Sequence, residues 1–178
     1  MSFSLSKIAK GLALGGFAAA MATSAIAATQ GTPGFTSTGS LVITVDVNDE
    51  VRISSLADIN LGPFAGVDMT GSSPACIYRN GIPTTYQITG TGSGAANAFT
   101  LTDGTNTVPY SVDYTDLNGT NALTTGSALL AQDGADNDVN CANTGDNGSI
   151  DVTVTAVDAA ALPAAAYTGT LTLVVAPN

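Results

Sequence analysis

Apolar and polar residues alternate along most of this chain, and the alternation has the period of a strand. Over 40–47, Leu41, Ile43, Val45 and Val47 share one face, while Val42, Thr44 and Asp46 take the other. A period of two built largely from β-branched residues predicts a strand there. Asn48-Asp49-Glu50 interrupts it, and a second extended stretch is expected over 51–61, ended by Gly62-Pro63. Short strands are predicted at 75–79 and 84–89, on either side of Asn80-Gly81. The segments 98–102 and 107–114 flank Asp103-Gly104-Thr105-Asn106 and read as a hairpin, with Pro109 demoting its second arm to an edge or bulged strand. Residues 115–148 are polar and turn-rich, with a single helical turn expected at 128–132. Alternation returns at 149–157, where Ile150, Val152 and Val154 oppose Asp151, Thr153 and Thr155, and again at 167–175. Between them, 159–166 is interrupted by Pro163 and reads as a connector. No helix longer than about two turns is supported by periodicity. Many short strands separated by Gly, Asn and Asp turns indicate an all-β sandwich, with each apolar face buried against the opposite sheet.

The N-terminus follows a different rule. Lys7 and Lys10 precede an apolar run over 11–22, and Ala25-Ile26-Ala27 follows it. A short positive segment, an apolar core and an A-x-A end describe a cleavable export signal, with cleavage expected after Ala27. The run is shorter than the roughly 20 apolar residues that a spanning helix needs, so no stable membrane span is expected after cleavage. Residues 28–39 are rich in Gly, Pro, Ser and Thr and read as a flexible leader. A single sandwich domain over 40–178 is the expected organisation.

Cleavage changes the charge. With Lys7 and Lys10 gone, Arg52 and Arg79 face fourteen acidic residues, a formal net charge of −12. So few cations cannot neutralise a phosphate backbone, which excludes nucleic acid as a partner and disfavours anionic lipid. Export also places Cys76 and Cys141 in an oxidising space, where two thiols pair. Closing that loop stabilises a fold by roughly 4 kcal/mol in the chain-entropy account.

Little catalytic equipment is left. The chain has no histidine, and no lysine beyond the signal, so triads, Cys-His pairs, Schiff bases and Ser-Lys dyads are excluded. Asp113 and Asp116 are the remaining carboxylate pair, and their spacing reads as solvated acids at a strand end. The protein is therefore expected not to be an enzyme, and no cofactor is expected. The acidic run 133–140 places Asp136, Asp138 and Asn140 like the opening of a calcium loop. Cys141 stands where that loop needs glycine, and no glutamate closes it, so a solvated acidic turn beside the disulfide is the favoured reading. Asn118-Gly119-Thr120 and Asn147-Gly148-Ser149 match a glycosylation pattern but read as turns. Trp is absent, which weakens a sugar-binding reading, and the five tyrosines fit core or cross-strand packing.

The order of these features resembles the chaperone–usher pilins, particularly the archaic (spore coat protein U-like) and alternate branches. The resemblance is carried by LVITVDV over 41–47 followed by VRISSL over 51–56, by ACIY at 75–78 before TYQIT at 85–89, by FTLTDG at 99–104 before VPYSVDY at 108–114, and by the closing YTGTLTLVV at 167–175. The cysteines depart from it, because archaic subunits often place one near the first strands. The resemblance implies an immunoglobulin-like, pilin-type β-sandwich that lacks its last strand. It also implies a structural subunit of a cell-surface pilus, fimbria or coat, whose partners are copies of itself or related pilins, with a periplasmic chaperone and an outer-membrane usher. Export through the inner membrane to the periplasm and then the cell surface is the implied route. Leu41, Ile43, Val45 and Val47 would be the plugs of a donor strand over 40–48. Self-completion of the sandwich by that strand, and a monomeric secreted module for carbohydrate or calcium, are the alternatives.

Overall fold

A computed structural model describes residues 28–178; the expected export signal and the expected cleavage position at Ala27 lie outside the described residues. The chain divides into two units between Asp46 and Val47. In the described part of the first, Thr29 and Ser40 exchange backbone hydrogen bonds of 2.9 and 3.0 Å and close a loop over 30–39. Residues 41–46 carry no regular structure and are exposed. The strand expected over 40–47 is therefore not formed here: the apolar alternation is present, but among the described residues no ladder partner is supplied to these positions.

The regular structure of the second unit, 47–178, is almost all strand. In chain order it contains β1 (Val51–Ser54), β2 (Met69–Arg79), β3 (Tyr86–Gly92), β4 (Thr100–Thr102), β5 (Thr107–Pro109), β6 (Ser111–Asp116), β7 (Gly119–Ala122), β8 (Ala128–Gln132), β9 (Gly148–Val154), the short helix α1 (Ala156–Ala160) and β10 (Leu171–Pro177). Two sheets face one another, one ordered β1-β2-β9-β6-β7 and the other β10-β3-β8, with β4-β5 as a separate hairpin. All ladders are antiparallel. The fold is an all-β, immunoglobulin-like sandwich.

The core follows from the alternation. Ala75 and Ile77 of β2, Tyr86 and Ile88 of β3, Val112 and Tyr114 of β6, and Ile150, Val152 and Val154 of β9 point between the sheets and are buried. The intervening residues, such as Asp151 and Thr153, are less buried. Tyr86 and Tyr114 meet edge to face with ring centroids 6.5 Å apart. That geometry adds to the area that the rings bury. Cys76 and Cys141 are joined across Cα atoms 5.9 Å apart, which pins the 133–147 loop to β2.

Three local expectations give way to tertiary context. β2 begins at Met69, well before 75–79, because the alternating strand β9 offers a full ladder from Met69↔Val154 to Ala75↔Gly148. Its Gly71 is needed for packing: a Cβ there would stand 2.6 Å from Ile59 Cγ2. Residues 128–132 form β8 instead of a helical turn, since the edge of β3 gives Ala128 and Leu129 ladder partners and outweighs local helix preference. A left-handed Ala131, φ 55°, accommodates the shift in register there. The extended stretch expected over 51–61 stops at Ser54, where Ser55 turns to φ 64°. The hairpin about Asp103 matches its pattern. The strand expected over 149–157 ends at Val154, because Thr155 caps the short helix α1 by accepting from Asp158 N–H. The closing strand expected over 167–175 begins only at Leu171, where the ladder with β3 starts, and runs on to Pro177.

Candidate functional site

Beyond Ser55 the chain leaves the sheet, and residues 56–64 pass along one side of the sandwich. Ala57 N–H donates to Ser73 Oγ at 2.8 Å, and Ile59 and Leu61 pack against the core over Gly71. On the other side of the opening runs β10, preceded by the 162–170 loop. That loop is tied down by the exchange of backbone hydrogen bonds between Thr102 and Thr168 (2.8 and 3.0 Å) and by Thr170 N–H donating to Ser93 Oγ at 2.9 Å. Between these walls lies a groove of about 1100 Å³, with Met69, Val108, Tyr110, Ile150, Val152 and Val154 among its lining and Leu101, Leu171 and Leu173 along it. This exceeds the roughly 300–1,000 Å³ of ordinary small-molecule sites. Its lining is mainly aliphatic.

The strand beside the groove has an open edge. β10 pairs with β3 over seven positions, from Leu171↔Gly92 to Pro177↔Tyr86. Its other edge joins no ladder among the described residues. Leu171, Leu173 and Val175 are only half-buried, so the row that should be covered by a neighbouring strand is still partly in water. An unpaired edge next to an apolar trough is the arrangement to which an extended peptide adds as a strand.

The four plug candidates have the opposite character. Leu41, Ile43, Val45 and Val47 are 68, 87, 82 and 77% exposed. Four exposed aliphatic side chains in alternation are an apolar surface left uncovered among the described residues.

The root of that segment is held firmly. The buried guanidinium of Arg79, at the end of β2, grips Asp49 with Nε to Oδ1 at 3.0 Å and Nη2 to Oδ2 at 2.6 Å. Its Nη1 donates to the Thr85 carbonyl. The same guanidinium holds the Asp49 carboxyl below the usual carboxylate range. Neighbouring Asn80 accepts from Glu50 N–H at 2.6 Å and donates to the Asn48 carbonyl. Nothing in the residue pattern marked this contact, because pairing across thirty residues depends on the β1–β2 register, which places Val51 opposite Arg79.

The acidic loop is also built for structure. Asp136 is buried, and its carboxylate accepts five hydrogen bonds, from the N–H groups of Asp138 (2.8 Å), Asn143 (3.1 Å) and Thr144 (2.9 Å) and from the side chains of Asn143 (2.8 Å) and Thr144 (2.9 Å). These donors hold its carboxyl far below the usual range. Its own N–H donates to Ile77 O at 2.8 Å, so the loop docks on β2. Asp138 Oδ1 accepts from Asn140 N–H at 2.9 Å and Ala142 N–H at 3.3 Å. The carboxylate oxygens of Asp136 and Oδ1 of Asp138 are thus turned onto the chain's own donors, and Asn140 enters this network through its backbone N–H. Asn147 is likewise engaged, accepting from Ile77 N–H at 2.7 Å and donating to Ile77 O and Gly134 O at 2.8 Å. Asn118-Gly119 makes the β6–β7 turn, with Gly119 at φ 95°. Asp113 and Asp116 are three apart on β6 and so fall on opposite faces; Asp116 accepts from Asp133 N–H at 3.0 Å and from Tyr86 Oη at 3.3 Å.

No protein-family model matches the chain, and no curated protein matches it. Among solved structures, it is similar to a chain from a chaperone–tip adhesin complex of CFA/I fimbriae biogenesis. The identity is 17% and the TM-score 0.50, over 74% of this chain and 42% of the other, so the present chain spans less than half of that protein. The likeness is one of fold. No helix among the described residues is long and apolar enough to cross a membrane.

Proposed function

We propose that this protein is a structural subunit of a cell-surface fibre or coat, assembled by β-strand donation between copies of itself or related subunits. One observation carries the reading: an open, aliphatic groove lies beside the unpaired edge of β10, while the same chain holds an exposed strand-patterned segment with Leu41, Ile43, Val45 and Val47 on one face. Each is the kind of surface the other lacks. Fully burying four such side chains would stabilise the pairing by about 1.5–3 kcal/mol apiece. New backbone hydrogen bonds along β10 would set the register. The fold shared with a protein of a fimbrial chaperone–adhesin complex supports the same reading, as does the N-terminal export pattern. In that setting, a periplasmic chaperone would cover the groove before assembly and an outer-membrane usher would pass the subunit to the surface. The role requires no cofactor and no catalytic group.

The test is size-exclusion chromatography and electron microscopy of the mature chain with and without residues 28–48. Polymers from the full chain, and a monomer that no longer polymerises from the truncation, are expected. A compact, stable monomer from the full chain would reject strand donation.

A further inference from the structure

The clamp at Asp49, Arg79 and Asn80 lies at the junction between the exposed segment and β1, and the topology gives it a specific task. β1 starts at Val51, opposite Arg79, and runs toward Ser54, opposite Cys76. β10 runs the other way, ending at Pro177 opposite Tyr86, next to the Thr85 carbonyl that Arg79 also holds. The exposed segment is therefore rooted at the Pro177 end of the open edge. To enter its own groove it would have to double back over residues 48–50 and lie parallel to β10. A segment from a second copy has no such tether and is free to enter antiparallel, the more stable pairing.

Residues 48–50 are held against that reversal. They contain no turn or bend. Glu50 and Asn80 extend the β1–β2 ladder by one more pair, with Asn80 N–H donating to Glu50 O at 3.1 Å and Glu50 N–H donating to Asn80 Oδ1 at 2.6 Å. Asp49, at the centre of the would-be turn, is fixed by two hydrogen bonds from a buried arginine. Of the two cations outside the export signal, one is committed to this contact. We infer that the Asp49–Arg79–Asn80 clamp is a positioning device that keeps the root of the N-terminal segment extended, blocking its insertion into its own groove and leaving it for a second copy of the chain. The inference rests on the strand-donation reading.

The experiment compares full mature chains: wild type, Asp49→Asn, Asn80→Ala and, as the conservative rescue, Asp49→Glu. Polymer and monomer fractions are measured at one concentration, and hydrogen exchange over 41–47 is measured in each monomer. A synthetic peptide of residues 40–48 is added to wild type as a chain terminator. A several-fold rise in monomer is expected for Asp49→Asn and Asn80→Ala, with 41–47 newly protected in that monomer, and near-wild-type behaviour for Asp49→Glu. Protection of 41–47 separates self-insertion from simple loss of stability. Variants that polymerise like wild type, or extra monomer with 41–47 unprotected, would overturn the clamp while peptide-terminated wild-type polymers still upheld strand donation. A wild type that neither polymerises nor responds to the peptide rejects both. Should Asp49→Asn lack a cooperative melt, Asn80→Ala, which leaves the ion pair intact, decides the matter alone.

Discussion

The hydroxyls of Tyr86 and Tyr114 stand 2.6 Å apart between the two sheets, joining β3 to β6 through the centre of the core. Both rings are fully buried, and Tyr86 reaches on to Asp116 Oδ2 at 3.3 Å. Burial together with the neighbouring phenol pushes the Tyr86 hydroxyl well up, and burial pushes Tyr114 up to about 12. An acid whose folded pKa is raised keeps its proton in the native state while the unfolded chain releases it. Stability from this pair is therefore complete below about pH 10 and lost as pH rises toward 12. Urea titrations between pH 8 and 11.5 should show a flat region and then a steep fall. Tyr86→Phe should cost about 1–3 kcal/mol at neutral pH, because a buried hydroxyl loses its partner, and should make the alkaline fall shallower. A slope unchanged by that substitution would remove the pair as its cause.

The acid limb is expected to have a different origin. Asp136 is held down by its five donors, and Asp103 is lowered to about 2 by hydrogen bonds from Asn106 and Thr105. Groups with depressed folded pKa values contribute stability above the ordinary carboxylate range near pH 4, and lose it as pH falls through their folded values. Asp136→Asn replaces an acceptor with a donor facing other donors. It should lower the melting temperature at pH 7 far more than Asp138→Asn and expose 137–146 to proteolysis. Thermal scans at pH 7 and pH 3 check this: the Asp136→Asn deficit should shrink at the lower pH, and a deficit equal at both would assign the effect to packing.

The Cys76–Cys141 bridge holds the same loop from its other side. Replacing both cysteines with alanine should lower stability by about 2–4 kcal/mol, read as a shift of the denaturant midpoint. Because Asp136 and Asn147 bind Ile77 through their own hydrogen bonds, the loop should remain docked in the folded state. Amide protection at Ile77 that survives in the double mutant would show this, whereas protection lost there while the sheets persist would make the disulfide the loop's main tether.

These contacts mark where the residue pattern is readable and where it stops. Alternation in 149–157 and 167–175 located β9 and β10 but not their ends, because the strand period is written locally while the α1 cap at Thr155 and the start of the β3 ladder at Leu171 are not. The expectation of export paired the cysteines without geometry. The pattern over 69–74 failed, since Gly71, Ser72, Ser73 and Pro74 look like a turn until β9 supplies the ladder. Residues 128–132 failed for the same reason, because the edge of β3 lies elsewhere in the chain. Arg79 and Asp49 could each be seen as charges, yet their pairing needs the register of β1 on β2. The groove is less local still: it is formed by residues 56–64, which have no strand partner, facing a strand more than a hundred residues later.

Ile43 offers the sharpest separation between folding and assembly. It is 87% exposed, so Ile43→Asp removes no core contact within the chain and should change the unfolding free energy of a monomer by less than about 0.5 kcal/mol. If its side chain is seated in the groove of a second copy, the same substitution places an unpaired charge among Ile150, Val152 and Leu173, where burial without a partner is strongly unfavourable. Polymer should then be lost while the melting curve of the monomer is kept. Leu173→Asp gives the reciprocal test from the groove side, and mixing experiments add direction. An Ile43→Asp chain keeps a working groove and should cap wild-type polymers at one end, and a Leu173→Asp chain that folds keeps a working donor and should cap the other. Ile43→Asp chains that polymerise as readily as wild type would show that the exposed face over 41–47 does not carry the assembly.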